Sequence, residues 1–80
     1  MKVRIYVTLK RGVLDPQGKA IAHALNSLGF EEVTEVRQGK VIELDLRDTP
    51  ADQREPRIDA MCRSLLANTV IEDYRIEPIT

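Results

Sequence analysis

Lys2-Val3-Arg4-Ile5-Tyr6-Val7-Thr8-Leu9-Lys10 alternates without a break, with Val3, Ile5, Val7 and Leu9 on one side and Lys2, Arg4, Tyr6, Thr8 and Lys10 on the other. Successive side chains of a strand point to opposite faces, so a period of two predicts a half-buried strand. The chain then turns through Arg11-Gly12-Val13-Leu14 to Asp15-Pro16. Asp15 can accept a hydrogen bond from the free amides of a helix start, and Pro16 suits the first helical position because it has no N–H to leave unpaired. Ile21, Ala24, Leu25 and Leu28 follow at the spacing of one helical face, and Gly29 stands where a left-handed cap would close the helix.

Beyond Gly29, residues 33–38 and 40–47 are rich in β-branched side chains and meet at Gln38-Gly39, which predicts two strands of a hairpin. Residues 48–57 are polar and hold Pro50 and Pro56; Ile58, Met61, Cys62, Leu65 and Leu66 then mark a second helical face. A proline inside a helix removes a donor and clashes with the preceding turn, so this helix is expected to start late, near Glu55, after a short turn. Asn68 stands where that helix stops, and residues 70–79 read as a last strand whose buried side the pattern leaves open. The order strand, helix, strand, strand, helix, strand predicts an α+β fold. It is the two-layer βαββαβ ferredoxin-like sandwich, a four-stranded antiparallel sheet with two helices on one face. With the first strand between the third and fourth, Lys2 and Arg4 would lie among Glu43, Asp45, Asp73 and Glu77 on the uncovered face, where opposite charges across strands are favourable.

Eighty residues leave no room for a second domain, and so small a core is commonly completed by association, so a homo-oligomer is expected. Twelve basic against thirteen acidic residues give a net charge of −1, which argues against a nucleic-acid partner, since that affinity rests on excess positive charge. Only Tyr6, Tyr74 and Phe30 are aromatic, too few to stack bases on the sheet. Met1-Lys2-Val3-Arg4 enters the strand pattern with no apolar targeting run, and no stretch approaches the ~20 apolar residues of a membrane span, so a cytoplasmic protein without membrane contact is expected. The single Cys62 agrees with a reducing compartment.

Chemistry is sparse in this sequence. His23 falls on the polar side of the first helix with no carboxylate at helical spacing to orient it, and it reads as a surface residue. Cys62 sits on an apolar stripe between Met61 and Leu65 and reads as core. The carboxylates are scattered, with no His or Cys at ligand spacing, so no metal site is expected. The Gly12–Gly18 loop at a helix start, with Lys10, Arg11 and Lys19 nearby, could hold a phosphate. Asp15 at the cap would occupy those amides and repel an anion, and the loop lacks the G-x-x-x-x-G-K-[ST] arrangement.

Gly12-Val13-Leu14-Asp15-Pro16-Gln17-Gly18 recurs with Leu25, Leu28-Gly29-Phe30, Val36-Arg37-Gln38-Gly39-Lys40 and Leu65-Leu66-Ala67-Asn68-Thr69-Val70-Ile71-Glu72-Asp73-Tyr74 in a pattern that closely resembles the PurS subunit family of phosphoribosylformylglycinamidine synthase. The likeness covers nearly the whole chain, 1–80, as a single unit; Thr69, where that family commonly has proline, and Pro56 depart from it. The resemblance implies a non-catalytic subunit of a purine-synthesis complex that converts formylglycinamide ribonucleotide to formylglycinamidine ribonucleotide. A large synthetase subunit would use ATP and Mg, a glutaminase subunit would release ammonia from glutamine, and this chain would bridge them and support ammonia transfer. It implies a homodimer, open to further assembly as a tetramer, and no bound cofactor, catalytic residue or metal on this chain. Partner contacts are expected at Gly12, Val13, Leu14, Asp15, Pro16, Gln17 and Gly18, and at Asn68, Thr69, Val70, Ile71, Glu72, Asp73 and Tyr74, although turn and cap geometry accounts equally well for Gly12, Asp15 and Pro16. Two alternatives remain at this point: a regulatory module of the same βαββαβ topology binding a small molecule, and an acyl phosphatase, whose arginine-bearing phosphate loop is not recognisable here.

Overall fold

A computed structural model describes residues 1–79. The alternating stretch forms β1 (Lys2–Leu9), the middle strand of a three-stranded antiparallel sheet. On one side lies β2 (Gly39–Asp45), with Val3 opposite Leu44 and Ile5 opposite Ile42; on the other lies β3 (Glu72–Pro78), with Ile5 opposite Ile76 and Val7 opposite Tyr74. The register resolves the ambiguity of the last strand: Tyr74 and Ile76 share the face of Val3, Ile5 and Val7, and Asp73, Arg75 and Glu77 share the open face. That face carries the expected opposition of charges, Lys2 facing Asp45 and Arg4 facing Glu43 and Glu77; Asp73 lies farther along, opposite Thr8.

α2 (Ala51–Met61), continued by a π-helical turn (Cys62–Leu66), covers the apolar face. Val3, Ile5 and Val7 are buried against Ile58, Cys62 and Ala67, so Cys62 is core, as its apolar stripe predicts. The helix does not start near Glu55. It begins at Ala51 with Pro50 as N-cap, the Gln53 amide donating to the Pro50 carbonyl at 2.9 Å, and Pro56 falls in the second turn. The lost donor at Pro56 is tolerated because the turns after it bury Ile58 and Cys62. The last strand begins two residues later than expected, since the Asn68 carbonyl accepts from the amides of both Ile71 and Glu72 and holds the preceding residues in a turn.

Two expectations of the four-stranded sandwich are not met within this chain. Residues 33–38 form no strand, and none of the three strands pairs with them. A two-residue hairpin would need backbone with positive φ at its turn, and neither Gln38 nor Gly39 has it. The second concerns α1 (Pro16–Ser27). Its ends form as read: Asp15 caps it, Pro16 occupies the first turn, and Gly29 at φ +101° closes it, with the Phe30 amide reaching the Leu25 carbonyl at 3.0 Å. Yet no residue of α1 belongs to the core or packs against it. The molecule measures 51 × 26 × 14 Å, with α1 and residues 30–38 forming an arm rather than part of the layer over the sheet.

Candidate functional site

The root of the arm is the 12–18 loop, and its chemistry is mainly architectural. Asp15 is 6% exposed; one carboxylate oxygen accepts from the Gly18 amide at 2.8 Å and the other from the Gln38 amide at 2.7 Å. These two donors, Gln38 first, hold the Asp15 carboxyl below its ordinary range. Arg37 donates to the Lys10 carbonyl at 3.0 Å, and a Cβ on Gly18 would stand 2.1 Å from the Val36 carbonyl oxygen. Gly12, at φ +88°, makes the turn that only glycine adopts freely. Asp15, Gly18 and Gly12 therefore fix backbone, whereas Leu14, 61% exposed, and the exposed Pro16 and Gln17 face outward; Val13 is half-buried. No phosphate cradle forms here, because Asp15 already occupies the helix-start amide of Gly18.

Residues 68–74 form the second expected segment. The Asn68 side chain accepts from the Val70 amide at 3.2 Å and Glu72 accepts from the Asn68 amide at 2.7 Å, which leaves Thr69 and Val70 exposed. Tyr74 points the other way, under α2, where its hydroxyl donates to Asp59, which also meets Arg63 at 2.7 Å. The Tyr74 hydrogen bond lowers the Asp59 carboxyl and raises the Tyr74 phenol, as befits a donor held by an anion.

The fold brings the two segments together. The Lys10 amide donates to the Ile71 carbonyl at 2.9 Å, and Leu9 stands opposite Glu72, so both lie at the same end of the sheet. Gly12 and Asp73 line one cleft of about 720 Å³ with Arg11, Arg37 and Glu35. Asp15, Gln17 and Glu72 line a smaller one of about 250 Å³. Tyr74 belongs to neither and is a structural residue of the α2 contact.

A cluster on the open sheet face is more specific than charge alternation suggests. Tyr6 donates to Glu77 at 3.0 Å, the Arg75 guanidinium lies 4.2 Å from the centre of the Tyr6 ring, and Glu77 also meets Arg75 at 3.4 Å and Arg4 at 3.8 Å. The Tyr6 hydroxyl, then Arg75, hold the Glu77 carboxyl below its usual range. The signal was present as Tyr6 and Arg75 on outward-facing positions of neighbouring strands, but strand register was needed to see it. His23 is exposed, and burial raises the Cys62 thiol, so it carries no lowered-pKa nucleophilic character.

Residues 2–79 match the family model described as PurS: Phosphoribosylformylglycinamidine (FGAM) synthase. The phosphoribosylformylglycinamidine synthase subunit PurS of Bacillus subtilis is 53% identical over 76 residues, covering 95% of this chain and 89% of that protein. The crystal structure of Methanocaldococcus jannaschii PurS, one of the subunits of formylglycinamide ribonucleotide amidotransferase, is 40% identical with a TM-score of 0.81, covering 99% of this chain and 98% of the other. A chain in the structure of PurLQS from Thermotoga maritima, 28% identical, has a TM-score of 0.86 over 98% of this chain and 95% of its own.

Proposed function

The chain belongs to the PurS family of phosphoribosylformylglycinamidine synthase, and from that membership we propose how a small subunit of this purine-biosynthetic enzyme contributes to turnover. It acts as an adaptor that pairs with a second copy of itself and bridges the synthetase and glutaminase subunits, supporting ammonia passage from one to the other. ATP, Mg and glutamine are used by those partners, and this chain holds no cofactor and supplies no catalytic group. The complex works in the cytoplasm, and residues 1–80 act as one PurS-like unit; none of its helices among the described residues is long and apolar enough to cross a membrane. The four-stranded sandwich is the form in which the unit works.

The observation that carries this reading is the convergence of residues 12–18 and 68–74 at one end of the sheet, where Leu14 and Val70 are 61% and 80% exposed. Exposed apolar side chains on two adjoining turns suit protein contact better than catalysis. The PurLQS neighbour supports a role in an assembly with other subunits.

The test is reconstitution with the two partner subunits. Glutamine-driven turnover should fall at least tenfold when this chain is omitted or carries Leu14→Glu with Val70→Glu, while ammonia-driven turnover falls less. Equal glutamine-driven rates with and without the chain would overturn the adaptor reading, as would conversion of a metabolite by the isolated chain.

A further inference from the structure

Arg11, Arg37, Glu35 and Asp73 stand around the cleft of about 720 Å³ at the end of the sheet, and all four are exposed. Elsewhere in the chain, opposite charges that come near one another join: Arg4 and Arg75 meet Glu77 on the open sheet face, and Arg63 meets Asp59 on α2. Around the cleft they do not. Among the described residues no ion pair or side-chain hydrogen bond engages Arg11, Glu35 or Asp73, and Arg37 engages only one nitrogen, on the Lys10 carbonyl. Two positive and two negative side chains surround one space with their charges unmatched.

The backbone of Lys10 holds the walls of this cleft in place. Its carbonyl accepts from the Val13 amide at 3.1 Å and from Arg37 at 3.0 Å, and its amide donates to the Ile71 carbonyl at 2.9 Å. The turn that carries Arg11, the segment that carries Glu35 and Arg37, and the start of β3 that carries Asp73 are therefore all tied to one residue. Walls fixed in this way lose little further freedom when the cleft is filled, which favours binding.

The signs select the occupant. A phosphate or other plain anion would meet Glu35 and Asp73, and a metal ion or amine would meet Arg11 and Arg37; the four charges sum to zero, so their complement carries both signs. A small zwitterion gains little here, because pairs that stay exposed to water are weak. A protein segment with an acidic and a basic side chain close together gains more, since covering the cleft removes water and strengthens each pair. Leu14, Val70 and Ile71, at the same end of the sheet, are 61%, 80% and 39% exposed and supply the apolar area that such a cover buries.

We propose that this cleft is the socket for a segment of a partner subunit that bears an acidic and a basic side chain, the acid taken by Arg11 and Arg37 and the base by Glu35 and Asp73. Apolar side chains of the same partner cover Leu14 and Val70. The inference rests on the adaptor reading above and adds to it the place and the chemistry of the grip.

Biolayer interferometry of the immobilised full chain against the synthetase and glutaminase subunits together tests this. The variants are Arg11→Glu, Asp73→Lys, the two combined, and Glu31→Lys, which changes net charge as Asp73→Lys does but lies outside the cleft. Each reversal in the cleft should weaken assembly at least about tenfold, since it sets like charges together where water is excluded. The double variant has the net charge of the wild type with two signs exchanged, and it should stay at least about tenfold weaker; Glu31→Lys should bind like the wild type. Should a reversal change the circular-dichroism signal, Arg11→Gln and Asp73→Asn read the same contact with a smaller loss. Folded cleft variants that assemble like the wild type would overturn the socket and leave the adaptor standing. A double variant restored to wild-type affinity, or Glu31→Lys weakened as much as Asp73→Lys, would also overturn it, because net charge alone would then explain the effect. A wild type that binds neither subunit would overturn both.

Discussion

Asp15 shows how one side chain can serve as both cap and joint. Its two oxygens accept from Gly18, at the start of α1, and from Gln38, where the chain re-enters the sheet, so it ties the root of the arm to the sheet as well as starting the helix. Asp15→Asn keeps one acceptor but turns an NH₂ toward a backbone N–H, and in urea at pH 7 its unfolding midpoint should fall clearly below that of the wild type. The pH dependence follows from the direction of the shift. The folded carboxyl lies below its ordinary value of 3.8, so its bonds stabilise fully above about pH 4, and that contribution disappears as pH falls through the folded value. The gap between wild type and Asp15→Asn should therefore narrow in unfolding curves taken below pH 4; a constant gap down to pH 2.5 would show that ionisation plays no part. The sequence made Asp15 legible as a cap because capping is local, but its second bond, to a residue 23 positions away, has no local signature.

At the scale of elements, what could be read was what short-range chemistry decides. β1 follows from its alternation, α1 from Asp15, Pro16 and Gly29, and the central place of β1 from the usual neighbours of the strand–helix order, which sets Lys2 and Arg4 opposite Asp45, Glu43 and Glu77. Residues 33–38 have strand composition yet form no strand, because a pattern of side chains says which face seeks cover, not whether a neighbouring strand is within reach. The two contact segments were named through a family likeness; their meeting at one sheet end required the β1–β3 register. Pro56 misled for a physical reason: a rule about the cost of one residue was set against a helix whose later turns bury Ile58 and Cys62. That cost should still be measurable. Pro56→Ala returns a donor for the Asp52 carbonyl and removes the ring clash, less the entropy that proline takes from the unfolded chain. Urea denaturation at fixed protein concentration should show a gain of about 1–2 kcal/mol. No gain would mean that α2 bends enough at Pro56 to avoid the clash.

For the whole molecule the decisive quantity is how little of the chain is buried. Val3, Ile5, Val7, Ile58, Cys62 and Ala67 are the buried apolar residues among those described, and nine large apolar side chains remain exposed. A core of that size is marginal for an isolated domain. If the second copy supplies the remainder, folding and association are one equilibrium, and stability must depend on protein concentration by mass action. A hundredfold rise in concentration adds about 2.7 kcal/mol per dimer, or half that per chain. For a domain of this size it should raise Tm by roughly 5–10 °C. Differential scanning calorimetry of the full chain across that range makes the comparison: Tm should climb with concentration. A wild-type Tm that stays level would mean that the sheet and α2 stand on their own, and the exposed stripe of α1 would then need a cover other than a second copy.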